Sequence, residues 1–445
     1  MIEMSPELIT LAMFGSMMLL LLCGLPIAFA LGGLAVIFVA LLWGLPAVKM
    51  IAYSAISIQN MYSLACVVGF IFTGMILQSA GIADVMFDTM RTWAGGVRGG
   101  LAVGVVIICA IFAAMVGISG AATVSMGIIA LPAMLKRGYD KELAVGTIMA
   151  GGALGILIPP SATFVLYGII ARASIGQLFA SGIFPGFLLA SLFIVYILIR
   201  CHFQPHLGPG IPPEERASWK EKFISLKGLV LPLLLVFLVM GLILLGVTTP
   251  TEASGVGSIG ALIVAAIHRR LNWGMLVEAL RTTLRLCGMI SWIFLAALAF
   301  AKIYLGLGAV EVLGNIITAV GLGPWGTLII MLASFLVIGC FLDDEAMLFI
   351  VAPLYIPLVI SLGFDVVFFG CLYLMSTQAA LLTPPFGYNI FYMKGIVPKN
   401  ITILDIYKSV IPFVGLQILG LAIVVRFPQI AMWLPKVLFT TLKGA

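Results

Sequence analysis

The sequence predicts an all-α polytopic membrane protein with two inverted repeats, each of about five crossings plus a re-entrant helical hairpin and a proline-broken helix. The first observation behind this prediction is composition. The 445 residues are 63% hydrophobic and 9% charged, with a mean hydropathy of +1.25. Soluble proteins carry about 25% charged residues, and many apolar runs here approach the ~20 residues that a spanning helix needs.

The second observation is a pair of apolar segments that a double proline interrupts. Residues 155–167 read GILIPPSATFVLY, and residues 380–392, which lie 225 positions later, read ALLTPPFGYNIFY. Proline lacks a backbone N–H and its ring clashes with the preceding turn, so each helix must break and leave carbonyls unpaired. Unpaired backbone is tolerated in a membrane only inside protein or along a cavity. Matched breaks in two halves point to the binding site of a transporter.

The third observation is the position of the basic residues around two long apolar runs. Basic residues flank the run 99–135 on both sides: Arg91, Arg98, Lys136, Arg137 and Lys141. No Lys or Arg adjoins the run 326–360. Because Lys and Arg concentrate on the cytoplasmic side, the first run should start and end inside and the second outside. The repeats are therefore predicted to be inverted.

The first repeat is assigned to residues 1–201. Glu3 and Glu7 precede the first span without a basic residue, so the N-terminus is predicted to lie outside. The run 8–43 is too long for one helix and should break near Pro26 into two crossings. The remaining elements are an interfacial segment at 46–59, an inward crossing at 61–80, the run 99–135 with its tip at 117–123, the broken helix 142–171 and a return at 177–199. Charge leaves open whether 99–135 is a re-entrant hairpin or a full helix pair.

A polar stretch at 202–227, which contains GPGIPPEERASWKEK, is predicted to be a cytoplasmic linker between the repeats. The second repeat, 228–427, should follow the plan of the first. Its predicted elements are spans at 228–246 and from 249 onward, an amphipathic segment at 273–285, a crossing at 286–305, a hairpin near 326–360 with its tip at 341–345, and the broken helix 366–393. Residues 428–445 form a C-terminal segment.

Four irregular segments should converge, namely the two hairpin tips and the two breaks at 158–161 and 383–389. Unwound carbonyls and half-helix C-termini suit a cation such as Na⁺, whereas half-helix N-termini suit a carboxylate. Kinks and close packing explain a single segment of this kind equally well. Two matched pairs favour a binding site instead. Its side-chain oxygens would come from Ser119, Thr123, Ser161, Thr383 and Asn389.

The densest acidic cluster in an apolar setting is Asp343, Asp344 and Glu345. Carboxylates inside a membrane are costly and suggest an ion or proton pathway. The alternative is a tip that reaches water, and Glu345 is expected to face water. Lys302 could attract an anionic substrate or extend its ammonium to the interface. The candidate substrate contacts are Lys302, Ser119 and Asp344.

Several motifs together resemble the large membrane subunit of tripartite ATP-independent periplasmic (TRAP) transporters, the DctM type. They are GISGAAT, LKRGYDKELAVG, GGALGILIPPS, SIGQLFASGIFPG, GVTTPTEA and LLTPPFGYNIF, and they cover nearly the whole chain. The resemblance implies a carrier with an elevator-type ion-transporter-superfamily fold. It also implies a bacterial inner membrane protein with a periplasmic N-terminus and no enzymatic activity.

The resemblance implies ion coupling and partners as well. A Na⁺ gradient would drive import of a small organic anion, a carboxylate in the commonest case. A periplasmic substrate-binding protein (DctP type) would deliver it, and a small four-helix membrane subunit (DctQ type) would be needed; no organic cofactor and no nucleic acid are expected. Na⁺ is implied at Ser119 and Gly120 with Pro159, Pro160 and Ser161, and at Asp343 and Asp344 with Thr383, Pro384 and Gly387.

Two other functions compete with this one. A stand-alone ion-coupled carrier of the wider superfamily would need no binding protein. An intramembrane aspartyl protease would need two aspartates on facing helices that share a proton. The first repeat offers only Ser119 and Gly120 at the place that matches Asp344, which disfavours the protease.

Overall fold

The computed structural model describes residues 5–117, 119–307, 321–385 and 387–441. These residues are mainly helical and contain no strand. Predictions for Glu3, Ile118, Phe386 and residues 442–445 lie outside this description. Seven of the described helices are long and apolar enough to cross a membrane. An eighth crossing results if Leu45–Gln59 and Leu64–Ser79, which meet at 59°, count as one broken span.

The first repeat contains ten α-helices. In chain order they are α1 (Pro6–Leu22), α2 (Ile27–Trp43), α3 (Lys49–Gln59), α4 (Leu64–Ser79), α5 (Ile82–Ala94), α6 (Gly100–Val116), α7 (Ser119–Lys136), α8 (Lys141–Ala153), α9 (Ala162–Ala171) and α10 (Ile175–Phe203). A short 3₁₀ helix, Leu154–Ile156, follows α8 and leads into the first proline break. The break between α1 and α2 falls at Pro26, as the sequence predicts, because proline cannot donate the N–H that would continue α1.

The linker and the second repeat contribute ten further helices among the described residues. They are α11 (Trp219–Ser225), α12 (Lys227–Leu244), α13 (Pro250–Ile267), α14 (Trp273–Gly306), α15 (Gly323–Ile338), α16 (Asp344–Ser361), α17 (Val366–Leu382), α18 (Tyr388–Ile396), α19 (Ile403–Arg426) and α20 (Gln429–Thr441). The sequence predicts a boundary near 285, but α14 continues through it for 34 residues. Gly288 is the nearest possible breaker, but a single glycine inside a helix costs only about 1 kcal/mol and does not end it.

The helix bounds follow the sequence repeat. The helices α7 and α16 each have 18 residues and begin at Ser119 and Asp344, which are 225 positions apart. The helices α8 and α17 begin at the same spacing, at Lys141 and Val366. The pair α3 and α4 in the first repeat corresponds to the single long α14 in the second. The two halves therefore have the same order of helices, except that α14 of the second half replaces the two helices α3 and α4 of the first.

The two long interrupted runs are hairpins whose tips stop at the proline breaks. Gly117, between α6 and α7, packs against Pro160, and Gly339, between α15 and α16, packs against Ala380. The tips are shorter than predicted. In the first hairpin α7 begins at Ser119, so Thr123 lies one turn inside it, and in the second α16 begins with Asp344.

The two broken helices run in opposite directions. Lys141 at the start of α8 pairs with Asp405 in the first turn of α19, the helix that follows α18, with Nζ and Oδ1 2.7 Å apart. At the other end of the molecule, the hydroxyl of Tyr167 in α9 donates to the carbonyl of Val366 at the start of α17, at 2.8 Å. Each broken helix thus begins where the other finishes, which is the arrangement expected of inverted repeats.

The linker forms hydrogen bonds with the chain at both ends of the first hairpin. The N–H of Gly99 donates to Gly208 O at 2.8 Å, and the N–H of Asp140 donates to Leu207 O at 2.9 Å. Both ends of the hairpin α6–α7 therefore lie at one end of the molecule, which we call the linker end. The second hairpin has both ends at the opposite, distal end, where Trp325 contacts the ring of Phe364.

Candidate functional site

The tip of the first hairpin packs against the first proline break. The helix α6 ends at Gly117, whose φ of +68° lies in the left-handed region that favours glycine. The carbonyl of Gly117 accepts a hydrogen bond from the N–H of Ala162 at 3.4 Å. A β-carbon at Gly117 would lie 2.8 Å from the carbonyl oxygen of Pro160. Glycine therefore allows the tip to reach the break.

A single hydroxyl bridges the first break. The Pro159–Pro160 peptide bond is cis, and Ser161 is fully buried. Its Oγ donates to the carbonyl of Ile156 at 2.6 Å and accepts from the N–H of Phe164 at 3.4 Å. Ser161 thus binds one carbonyl that the prolines leave unpaired and also caps α9, as a serine at this position can.

Two carboxylates of the second hairpin are enclosed at the start of α16. Asp343 is the N-cap, and its Oδ1 accepts from the N–H of Ala346 at 2.9 Å. Asp344 and Glu345 are 9% and 8% exposed. The expectation that Glu345 faces water is therefore wrong, because α16 starts one residue before it and turns its side chain inward. The positive end of the helix dipole favours negative charge at all three positions.

The second break also closes with side-chain and backbone hydrogen bonds. The Pro384–Pro385 bond is cis. The hydroxyl of Thr383 donates to a carbonyl of α17 at 2.7 Å, and the N–H of Gly387 donates to Thr383 O at 3.0 Å. Tyr407 of α19 donates its hydroxyl to the carbonyl of Pro385 at 3.0 Å. The unwound segment is held from both within and outside the broken helix.

The two repeats interlock where the tips meet the broken helices. Thr163 Oγ1 in α9 donates to Asp344 Oδ2 at 3.0 Å. Ser119 Oγ in α7 donates to Asn389 Oδ1 in α18 at 3.4 Å. Ser119 and Asp344 are equivalent positions of the two repeats, whereas their partners Asn389 and Thr163 differ from the repeat spacing by one residue. The sequence pairs each tip with its own break, whereas the structure also joins each tip to the broken helix of the other repeat.

Three residues that sequence reasoning missed complete these contacts. They are Thr163, Tyr373 and Tyr392. The hydroxyl of Tyr373 donates to the carbonyl of Asp344 at 2.9 Å, and a β-carbon at Gly120 would lie 2.6 Å from Cε2 of Tyr392. A search for hydroxyl groups next to the breaks would have found Thr163. No sequence signal indicates Tyr373, because only the packing of α17 on α16 brings it to Asp344.

Two predicted residues stand apart from these contacts. Lys302 in α14 is exposed, and its Nζ donates to Ser54 Oγ in α3 at 3.1 Å. Its ammonium therefore binds a neighbouring helix of the first repeat. Thr123 is fully buried in α7, and a β-carbon at Gly152 would lie 2.1 Å from its Oγ1. Thr123 packs α7 closely against α8.

The acidic cluster has no basic partner among the described residues. The ion pairs that these residues form are Arg91–Asp88, Arg137–Glu215 and Lys141–Asp405. Over the same part of the chain, no three His, Cys, Asp or Glu side chains are placed to hold a metal ion. A cation at the tips would therefore also need carbonyl, hydroxyl or amide oxygens, such as those around Ser119 and Asn389.

Paired hairpins whose tips meet two antiparallel broken helices inside an apolar helical protein define the architecture of a membrane transporter. The chain belongs to the family of the tripartite ATP-independent periplasmic transporter DctM component, whose profile matches residues 14–430. It is therefore a large permease protein of the TRAP type and not an enzyme, which excludes the aspartyl protease.

Similar proteins agree with this assignment. The chain is 32% identical over 444 residues to the C4-dicarboxylate TRAP transporter large permease protein DctM of Vibrio cholerae, covering 94% of this chain and 96% of that one. It is 29% identical to the ectoine TRAP transporter large permease protein TeaC of Halomonas elongata, covering 97% and 100%. The crystal structure of the Alcanivorax borkumensis YdaH transporter matches with a TM-score of 0.65 over 92% of this chain and 97% of that one, at 14% identity. That last match shows a shared fold.

Proposed function

We propose that this chain is the large transmembrane subunit of a Na⁺-coupled secondary transporter that imports a small organic anion. The observation that carries the proposal is the buried acidic cluster at the second tip. Asp344 and Glu345 are at least nine-tenths buried, and the described residues supply no basic partner. A carboxylate within a membrane protein is hard to keep charged unless a cation accompanies it.

The coupling ion would bind where tips and breaks meet. Na⁺ prefers oxygen ligands, and unwound backbone at half-helix ends supplies carbonyls. One group of ligands consists of Ser119 and Gly120 with Pro159, Pro160 and Ser161. The other consists of Asp343 and Asp344 with Thr383, Pro384 and Gly387, and the contact with Asn389 links the two groups. Thr163 joins the second group, because its hydroxyl already contacts Asp344.

The substrate class is a small carboxylate. The Vibrio relative is named for C4-dicarboxylates and the Halomonas relative for ectoine, and both compounds carry a carboxylate. The helices α7, α9, α16 and α18 all begin at the meeting point of tips and breaks. Their positive dipole ends favour an anion there. Lys302 is no longer a substrate contact in this proposal, because its ammonium lies against α3.

The proposed assembly has three components in a bacterial inner membrane. A periplasmic binding protein of the DctP type delivers the substrate, and a small four-helix membrane subunit of the DctQ type supports this chain. The linker end faces the cytoplasm, because the basic residues around the first hairpin lie there. The N-terminus is then periplasmic, and the repeats work as an elevator-type carrier.

The experiment is uptake into proteoliposomes that contain this chain, its small subunit and a binding protein loaded with a dicarboxylate. Uptake should require an inward Na⁺ gradient and should fall to background when either partner is omitted. Equal uptake with a K⁺ gradient of the same size would disprove Na⁺ coupling. Strong uptake of free substrate by this chain alone would instead identify a stand-alone carrier.

A further inference from the structure

A long groove lies on the outer face of the second repeat, between α15 and α19. It encloses about 650 Å³. Its walls are apolar, and the small side chains of two alanines leave room between the helices. The wall residues that matter here are Ile329, Leu332, Ala333, Ile418, Leu421 and Ala422. The exposed fractions of Ile329 and Ile418, 56% and 44%, show that nothing in the described chain covers the groove.

The length of the groove matches one leaflet of a bilayer. It extends along α15 from Trp325 to Leu336. Eleven residue steps at 1.5 Å each give about 16 Å, and half of a hydrocarbon core of about 30 Å is about 15 Å. The groove thus has the length of an acyl chain that starts at the distal end and reaches the middle of the membrane.

The distal end of the groove is polar. Arg426, the last residue of α19, lines it together with Trp325 and Pro428. The guanidinium of Arg426 lies 5.4 Å from the centre of the Phe427 ring and forms no ion pair with any described carboxylate. Asp365 lines the neighbouring cavity, but its Oδ1 caps α17. Trp and Arg at the ends of spans are the residues that meet lipid headgroups.

The equivalent groove of the first repeat is covered by the chain itself. There α12 lies over α6 and α10 beside Pro159, and the cleft that remains encloses about 340 Å³. Leu233 and Phe237 of α12 face Ala110 and Phe187 across this cleft. No described helix covers α15 and α19 in this way, so the described residues leave this apolar face open.

We propose that this groove binds one anionic phospholipid. Its phosphate contacts Arg426, and one acyl chain lies between α15 and α19. A positive charge at the mouth that pairs with no described carboxylate favours a phosphate over the apolar surface of a partner helix. The length of one leaflet favours an acyl chain over a helix that would cross the whole membrane. The site is separate from the tips and breaks and does not depend on the ion that drives transport.

The test measures phosphatidylglycerol that remains with the full chain after purification from phosphatidylglycerol–phosphatidylethanolamine membranes. Arg426→Gln should reduce retention about fivefold, which corresponds to about 1 kcal/mol for one basic residue near a lipid surface. Ala333→Trp should reduce it by filling the groove without changing charge. The matched controls are Arg285→Gln and Ala266→Trp, which alter exposed residues of α14 and α13 and should retain the lipid.

Three outcomes decide the question. Loss of lipid in both groove variants but in neither control supports the site, provided that all four proteins elute as folded, monodisperse particles. Unchanged retention in Ala333→Trp overturns the proposal, because that variant blocks the groove directly. Release of the lipid when the small membrane subunit is added also overturns it, because the groove would then be a protein interface.

Discussion

Asp344 is the residue on which most contacts of the candidate site converge. Its carboxylate accepts from Thr163 in one repeat, and its carbonyl accepts from Tyr373 in the other. The equivalent residue in the first repeat is Ser119, which contacts Asn389. Of these two equivalent positions, only the one in the second repeat is therefore charged. This asymmetry suits a site at which one position neutralises a cation and the other supplies neutral oxygens.

Replacing Asp344 by Asn should weaken Na⁺-driven uptake strongly. The Na⁺ concentration at half-maximal uptake should rise about tenfold, which corresponds to about 1.4 kcal/mol of lost binding. Asp343→Asn should have a smaller effect, because Asn caps a helix as well as Asp does. Asp365→Asn is the control, since Asp365 caps α17 far from the tips. If Asp344→Asn leaves the Na⁺ dependence unchanged, the cation is held by backbone and hydroxyl oxygens alone.

Glu345 needs its own expectation, because the structure buries it. Removing the charge of a solvent-exposed residue would not change Na⁺ binding. The Glu345 carboxylate is instead buried beside Asp344, so removing its charge changes the electrostatic environment of Asp344. Glu345→Gln should therefore shift the Na⁺ dependence in the same direction as Asp344→Asn, in the same proteoliposome assay. A Na⁺ curve that matches the unsubstituted protein would show that Glu345 has a purely structural place in α16.

Thr163 should act through Asp344 and not by itself. Thr163→Val keeps the shape and removes the hydroxyl, so one hydrogen bond to a charged group is lost, worth about 1.5–3 kcal/mol. Thr163→Ser, which keeps the hydroxyl, should restore Na⁺-dependent uptake. The double substitution with Asp344→Asn should be little worse than Asp344→Asn alone, since the two residues share one interaction. Fully additive losses would show that they act separately.

Some of the residues of the candidate site could be predicted from the sequence. Ser119, Ser161 and Asp344 stand beside Gly or Pro breaks, so their positions follow from local chain signals. Tyr373 does not, since it reaches Asp344 only because α17 packs on α16. The side-chain directions at the first turn of α16, which bury Glu345, likewise depend on where the helix begins.

At the scale of elements, glycine decides how closely each tip can approach its break. Gly117 combines a left-handed φ of +68° with 2.8 Å between its would-be β-carbon and Pro160 O. Alanine there should cost about 1–2 kcal/mol for the left-handed conformation and about 1–3 kcal/mol for overpacking. Gly117→Ala should thus lower the melting temperature in detergent and reduce uptake.

The control for this prediction is Gly255→Ala in α13. A β-carbon at Gly255 meets no atom within 4 Å. Alanine in a helix interior is more favourable than glycine by about 0.5–1 kcal/mol, so this variant should melt no lower than the original protein. Equal melting temperatures for the two variants would contradict the close approach of Gly117 to the first break.

The sequence predicts helix breaks correctly where a proline forces them. It does not predict helix ends that no such residue marks. Pro26, Pro159 and Pro384 interrupt the chain where the sequence indicates, because proline removes a donor. The amphipathic and apolar parts of α14 look separate in sequence but form one helix of 34 residues. A change of periodicity marks a change of environment, and it does not by itself end a helix.

At the scale of the whole molecule, the contacts between the two repeats join the hairpin tips and the proline breaks into one unit. Each tip contacts its own repeat and the broken helix of the other, through Gly117 with Ser161 on one side and Thr163 with Asp344 on the other. These contacts join the two tips to both broken helices. A joined unit of this kind fits the elevator-type carrier that is proposed above.

The inverted arrangement also predicts which loops face which side of the membrane. Lys136 lies at the linker end beside the base of the first hairpin, and Ser361 lies at the distal end before α17. Both residues are exposed. Because basic residues flank only the first of these turns, Lys136 should be cytoplasmic and Ser361 periplasmic. Lys136→Cys and Ser361→Cys, each in a background without the seven native cysteines, place a single thiol at each turn.

A membrane-impermeant thiol reagent on right-side-out vesicles should label the Ser361→Cys protein at once. It should label the Lys136→Cys protein only after the membrane is permeabilised. An independent check is the pair Lys141→Cys and Asp405→Cys, whose parent Nζ and Oδ1 atoms are 2.7 Å apart and which a short bifunctional thiol reagent should cross-link within one chain. Cross-linking with labelling on opposite sides requires two broken helices that run in opposite directions through the membrane. Equal labelling of both single-cysteine proteins from outside would place the two turns on one face and contradict the inverted repeats.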